Sequence, residues 1–124
     1  MYEYKKKIKS FTDLIVWQKG HQLVLLVYRL TKTFPKTEQF GLTSQIRRAV
    51  VSVTSNIAEG FGRQNKKEKT QFYYLSRGSL IELQNQILIA KDVGYLEKEE
   101  FSQTVKLSIE VHKLINRLIS SNKL

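Results

Sequence analysis

His21, His112 and Glu110 come first, because acid–base and metal chemistry need side chains of these types held together. A di-iron centre in a helical bundle takes inward glutamates and Glu-x-x-His pairs that share a helix face. Glu110 and His112 stand at Glu-x-His spacing, which a helix turns onto different faces. Cysteine is absent, which excludes disulfides, thiolate metal sites, a cysteine nucleophile and covalent haem through Cys-x-x-Cys-His. Some helical-bundle ribonucleases carry an arginine four to six residues before a histidine. Neither histidine here has one, and Lys106 is only a weak stand-in. No glycine-rich phosphate loop is present. Both histidines fall on apolar stripes, where a core or interface imidazole with a hydrogen-bonded ring is expected. Trp17 and the tyrosines, at helical spacing, are likewise expected in the core rather than as stacking platforms. The expectation is a chain that is not an enzyme and holds no metal or cofactor.

The basic residues say more. Lysine and arginine number 21 against 11 acids, a formal net charge of +10. Such an excess bears on partners and favours a polyanion: nucleic acid, or an acidic membrane or protein surface. Arg63, Lys66, Lys67, Lys69 and Arg77 stand against one acid, Glu68, across residues 63–77. Lys5, Lys6, Lys7 and Lys9 form a second cluster near the N-terminus. Cations beside the amides of a helix N-terminus suit phosphate, without sequence specificity.

These clusters are mounted on an all-α pattern. Sparse glycines and the single Pro35 punctuate segments of helical apolar spacing, and no long polar–apolar alternation argues for a sheet. Helices are predicted over about 13–33, 42–59, 66–92 and 98–120. In the first, Leu14, Trp17, His21, Val24, Tyr28 and Thr31 form one stripe, and Val16, Gly20, Leu23, Val27, Leu30 and Phe34 another. Pro35 ends it. The second buries Leu42, Ile46, Ala49, Val50, Val53, Ile57 and Phe61, and sends Arg47 and Arg48 towards solvent or a neighbouring subunit. The third opens on Asn65 and Glu68, which resemble a capping box, and closes at Gly94. Its expected core side is Phe72, Leu75, Ser79, Leu83, Ile87 and Ala90, with Gly78 and Ser79 allowing a close helix approach. Glu97, Glu99 and Glu100 complement the dipole at the start of the fourth. That helix carries adjacent seams through Thr104, Leu107, Val111, Leu114 and Leu118, and through Phe101, Val105, Ser108, His112, Ile115 and Ile119.

Four helices with short connections read as an up-down-up-down four-helix bundle. The expected organisation is a flexible basic tail over 1–10 and one bundle domain over 11–124. Tyr73, Tyr74, Leu80, Ile81, Leu88 and Ile89 lie off the third helix's expected stripe, so a second apolar side predicts a homo-oligomer. No run approaches the roughly 20 apolar residues of a membrane span. The N-terminus lacks the apolar core of a signal peptide, so a soluble cytoplasmic protein is expected, with no membrane partner.

Three stretches carry a family resemblance: FTDLIVWQKG, YRLTKTFPKTEQFGLTSQIRRAVVSVTSNIAEGFGR and GSLIELQNQILIAKDVGYL. From Phe11 to Ile119 the chain resembles the bacterial four-helix-bundle proteins of the 23S ribosomal RNA intervening-sequence type. Residues 40–63 are the most specific part, although Thr54 stands where the family often has proline. The resemblance implies a left-handed bundle that assembles as a ring-like homopentamer, with no known catalytic activity. It also implies a distant likeness to the basic accessory protein of diversity-generating retroelements, which binds nucleic acid and a reverse transcriptase. Arg47, Arg48, Asn56, Glu59 and Gly60 match the family's signature. The candidate nucleic-acid contacts are then Arg47, Arg48, Arg63, Lys66, Lys67, Lys69 and Arg77, with Lys5, Lys6 and Lys7 of the tail. The expected function is an oligomeric, non-enzymatic nucleic-acid-binding protein, RNA favoured over DNA. The alternative is a scaffold that partners a reverse transcriptase or another element-encoded enzyme.

Overall fold

Helix-forming sequence occupies nearly all of the computed structural model, which describes residues 7–123. A 3-10 turn, Phe11–Asp13, leads into α1, Ile15–Thr31. A second 3-10 turn, Lys36–Glu38, leads into α2, Leu42–Phe61, followed by α3, Lys66–Asp92, and α4, Lys98–Lys123. No strand occurs among the described residues. The chain packs as a closed ring of helix pairs: α1 on α2, α2 on α3, α3 on α4, and α4 back on α1.

Local chemistry explains the ends. Ser10 and Asp13 form a full capping box, and the Lys9 and Ser10 amides both donate to Asp13 Oδ2 at 2.9 and 3.2 Å. Asp13 therefore belongs to the turn, and α1 starts two residues later than its apolar pattern suggests. Asn65 accepts from the amides of Lys67 and Glu68 at 2.7 and 3.2 Å and caps α3. Gly94, at φ +89°, follows α3 in the left-handed region that glycine tolerates.

The core runs along the inner stripe of each helix. From α1 it takes Val16, Leu23, Val27 and Leu30 of the second predicted stripe, together with Leu26, which lies on neither. Apart from buried Thr31, the first stripe lies on the flank, where His21 is exposed rather than buried. Its ring stacks on Trp17, centroids 4.7 Å apart, and Trp17 meets Phe11 edge-on at 5.3 Å. From α2 come Ile46, Ala49, Val50, Val53 and Ile57, as predicted. On α4 the core line falls between the two predicted seams, through Thr104, Ser108, Val111, Ile115 and Ile119.

On α3 the structure corrects the expected face. The buried line is Tyr73, Ser76, Leu80, Leu83, Ile87 and Ala90, whereas Leu75 is 57% exposed and Phe72 only half-buried. The reason is the close packing of α2 and α3. Ser76 Oγ donates to the Val53 carbonyl at 2.7 Å, and the Ser52 and Ser79 hydroxyls share a bond of 2.7 Å. Small hydroxyl residues fill the contact, so apolarity alone points one position astray. Tyr73 and Leu80, expected off the core, lie within it. Gly78 is not a contact residue: a Cβ there meets nothing within 4 Å. Gly60 is one, because a Cβ there would stand 2.6 Å from Tyr73 Cε1 and 3.0 Å from Phe72 Cβ.

At the far end of the bundle Glu38 ties two connections together. Its carboxylate accepts from the Leu42 amide at 3.2 Å and from the Tyr95 hydroxyl at 2.8 Å. The Tyr95 ring also packs on Phe34, 5.4 Å between centroids. The hydrogen bond to Glu38, with some burial and the carboxylate charge, raises the Tyr95 pKa above its ordinary 10.0. Burial likewise raises Tyr73.

Two outcomes follow in urea unfolding. Gly60→Ala is expected to cost about 1–3 kcal/mol through overpacking, while Gly78→Ala gains about 0.5–1 kcal/mol in helix propensity. Because both tyrosines hold their protons more tightly when folded, stability is expected to be level up to about pH 10 and to fall as alkali ionises them. Tyr95→Phe should flatten that fall.

Candidate nucleic-acid interface

The tight turn between α2 and α3 carries the strongest cluster of cations. Gly62 and Arg63 amides donate back to the carbonyls of Ala58 and Gly60, at 3.2 Å each, and the Asn65 cap starts the next helix at once. This rigid mount leaves Arg63, Lys66 and Lys67 exposed on one end of the molecule. The Arg63 guanidinium lies over the Phe72 ring, 4.7 Å from its centroid. None of the three forms an ion pair among the described residues.

Lys69 and Arg77, in the same sequence cluster, are occupied. Lys69 Nζ donates to the carbonyl of Phe61 at 2.7 Å and to that of Gly60 at 3.4 Å. It lies at the C-terminal end of α2, where the helix dipole is negative, and acts as a C-terminal cap by binding the Phe61 carbonyl. Arg77 lies over Tyr74 at 4.9 Å and donates to Asn116 Oδ1 at 3.0 Å, linking α3 to α4. Lys66, Lys67, Gln71 and Tyr74 line a shallow cleft of about 430 Å³ with Thr70 and Asn122. Asn122 closes its edge by donating to the Lys66 carbonyl at 2.8 Å and to Thr70 Oγ1 at 2.7 Å.

Arg47 and Arg48 lie elsewhere, on α2. Arg47 is half-buried: its Nε donates to Thr31 Oγ1 at 2.9 Å, one terminal nitrogen reaches the Tyr28 carbonyl at 3.4 Å, and the guanidinium covers the Tyr28 ring at 4.6 Å. Arg48 is exposed and makes no such bonds among the described residues. Lys7 is exposed outside regular structure, and Lys5 and Lys6 lie outside the described residues. Setting the tail lysines aside, the seven other predicted contacts separate into three groups: Arg63, Lys66 and Lys67 together, Arg48 apart from them, and Arg47, Lys69 and Arg77 bonded within the fold.

Sequence reading missed a second feature. A cleft of about 810 Å³ runs along the outer face of α2, bounded by Tyr28 and Phe40 and lined by Arg47, Arg48, Asn56 and Glu59 among others. Phe40 is 91% exposed. The available signal was an aromatic residue in a turn, on no apolar stripe. His112 is half-buried on α4, and Glu110 is paired with Lys19 of α1 at 3.3 Å. Among the described residues, no group of three or more His, Cys, Asp or Glu is placed to hold a metal, and no helix is long and apolar enough to cross a membrane.

The molecule is thus a basic four-helix protein with three exposed cations, Arg63, Lys66 and Lys67, at the turn between α2 and α3. The model of the 23S rRNA-intervening sequence protein family matches residues 12–117, and the chain belongs to that family. Its fold is similar to that of a protein of unknown function from the S23 ribosomal protein family of Bacteroides thetaiotaomicron, at a TM-score of 0.79 and 20% identity. That likeness covers 85% of this chain and 98% of the other. No curated protein matches the chain.

The occupied and unoccupied lysines are expected to separate in unfolding experiments. Lys69→Met should cost about 1–2 kcal/mol, as the last turn of α2 loses a charged hydrogen-bond donor, whereas Lys66→Met should change stability by under about 0.5 kcal/mol.

Proposed function

We propose that this chain is a non-enzymatic nucleic-acid-binding protein of the cytoplasm, acting as a homo-oligomer through the α2–α3 turn. The observation that carries the reading is the trio Arg63, Lys66 and Lys67: exposed, held on a rigid turn and free of acidic partners among the described residues. Phosphates would sit against these cations, and the N-terminal lysines would extend the contact. The family's description, which refers to 23S rRNA, favours RNA over DNA without making the chain a ribosomal component.

The proposed architecture is a left-handed up-down-up-down bundle repeated around a ring, as the family resemblance implies. Contacts that join the end of one helix to the start of the next, Lys69 to Phe61 and Arg47 to Thr31, support the alternation. Exposed Tyr74, Ile81 and Leu88 recur at seven-residue spacing on α3, which supports burial of that side against other chains. Copies of the basic turn in one particle would multiply a modest affinity.

The same apolar line favours a second reading, a scaffold for a protein partner such as a reverse transcriptase. Leu88 and Ile109 share an apolar groove of about 250 Å³ between α3 and α4, which suits a protein side chain better than a phosphate. A partner that stays bound through RNase treatment in a pull-down would select this reading.

Fluorescence anisotropy of labelled RNA and DNA over a salt series tests the first. Wild-type protein is expected to bind with a steep negative salt slope, RNA more tightly than DNA. Arg63→Glu/Lys66→Glu/Lys67→Glu should keep its fold and lose about 0.7–0.9 of slope per lost phosphate contact. The labelled RNA should remain uncut. Salt-independent binding, or none, would rule the reading out.

A further inference from the structure

We infer that the cleft on the outer face of α2 is a nucleotide site, in which a base stacks on Phe40 and its phosphate sits against Arg48. For a nucleotide within an RNA strand the inference rests on the nucleic-acid reading above; for a free nucleotide it stands alone. The cleft is separate from the basic turn and shares none of that turn's cations.

Phe40 supplies the platform. It is 91% exposed, yet the turn beneath it is fixed. The Gly41 amide donates to the Glu38 carbonyl at 2.9 Å, and the Glu38 side chain accepts from Leu42 and Tyr95 on either side. An aromatic ring on a rigid support loses little freedom when a base stacks on it, and stacking tolerates any base.

Arg48 supplies the anion contact. Arg47 beside it is committed to Thr31 and to the face of Tyr28, so Arg48 is the free guanidinium of the cleft. Its planar donors suit the oxygens of a phosphate. Glu59, also on the cleft, repels phosphate and thereby sets the ligand's direction, with the phosphate nearer Arg48.

The wall supplies polar partners. Thr43 is more than nine-tenths buried in it, and its Oγ1 has no hydrogen-bond partner. A helical threonine has two accessible χ1 rotamers, so the hydroxyl has a way to turn towards a ligand atom and recover a bond. Asn56 donates to the Ser52 carbonyl and hydroxyl at 2.8 and 3.0 Å, leaving its own carbonyl oxygen for a base or ribose donor. The volume, about 810 Å³, is within the range of small-ligand sites.

The test uses full-length protein and three probes: AMP by calorimetry, and an oligouridylate of about eight residues and an RNA duplex of about sixteen base pairs by anisotropy. Phe40→Ala and Arg48→Gln, both at exposed positions, are checked for unchanged helicity and oligomer mass. Phe40→Ala is expected to weaken oligouridylate about tenfold and to leave the duplex unchanged, because a duplex keeps its bases stacked inside. Arg48→Gln should weaken oligouridylate as well. Saturable AMP binding that both substitutions remove identifies a free nucleotide as a ligand, and sensitivity of oligouridylate alone identifies a strand. If duplex and oligouridylate bind wild type but neither substitution affects oligouridylate or AMP, the site is overturned and the basic-turn reading survives. If no RNA binds wild type, that reading falls and AMP decides: saturable binding lost in Phe40→Ala supports the site, and no binding overturns it. A fall in oligomer mass on Phe40→Ala would show that the cleft joins copies of the chain, and would also overturn it.

Discussion

The close approach of α2 and α3 sets the position of everything else. Two helices meet this tightly only where side chains are small, and Gly60, Ser52, Ser76 and Ser79 provide that line. Three of the four bring a hydroxyl, and each hydroxyl finds a partner across or along the contact, so burial leaves no unmatched donor there. The consequence for the surface is direct. With the helix ends drawn together, the link from α2 to α3 is short, and residues 63–67 are held at the tip instead of trailing as a loop. A charge cluster that would diffuse on a flexible connection is thereby concentrated.

The excess positive charge does two jobs. Arg47, Lys69 and Arg77 satisfy carbonyl and amide oxygens at helix ends and between helices, while their aliphatic or planar parts cover aromatic rings. Arg63, Lys66 and Lys67 have no such duties beyond the ring contact of Arg63. A net charge of +10 therefore overstates the charge that is free to meet a partner, and composition alone does not tell the two kinds apart.

Much of the architecture is legible in the chain. Helix bounds follow from Asn65, Pro35 and Gly94 because caps and breakers act locally, and the α2 core follows from an uninterrupted line of Ile, Val and Ala. The face of α3 is not legible by the same rule. Ser76 is a poor core residue by hydropathy and a good one by size, once the Val53 carbonyl is there to receive its hydroxyl. His21 misleads in the opposite sense: it continues an apolar stripe in sequence, but that stripe lies on the flank of α1 and the imidazole is exposed. The family resemblance located Arg47, Arg48, Asn56 and Glu59 without assigning them a role. Their common cleft, and the presence of Tyr28 and Phe40 in it, depends on how α1 and the preceding turn pack on α2, which no local pattern encodes.

The aromatic ladder on α1 has a practical consequence. Trp17 is the single tryptophan, and its indole is bracketed by Phe11 from the N-terminal turn and by His21 from the next turn of the helix. Its indole also packs against the core, so its emission is a built-in optical gauge of the docking of the first turn onto α1 as well as of the bundle beneath. Fluorescence and circular dichroism will part company whenever that turn lifts while the four helices stay assembled, so the two channels compared separate fraying of the entrance from melting of the bundle.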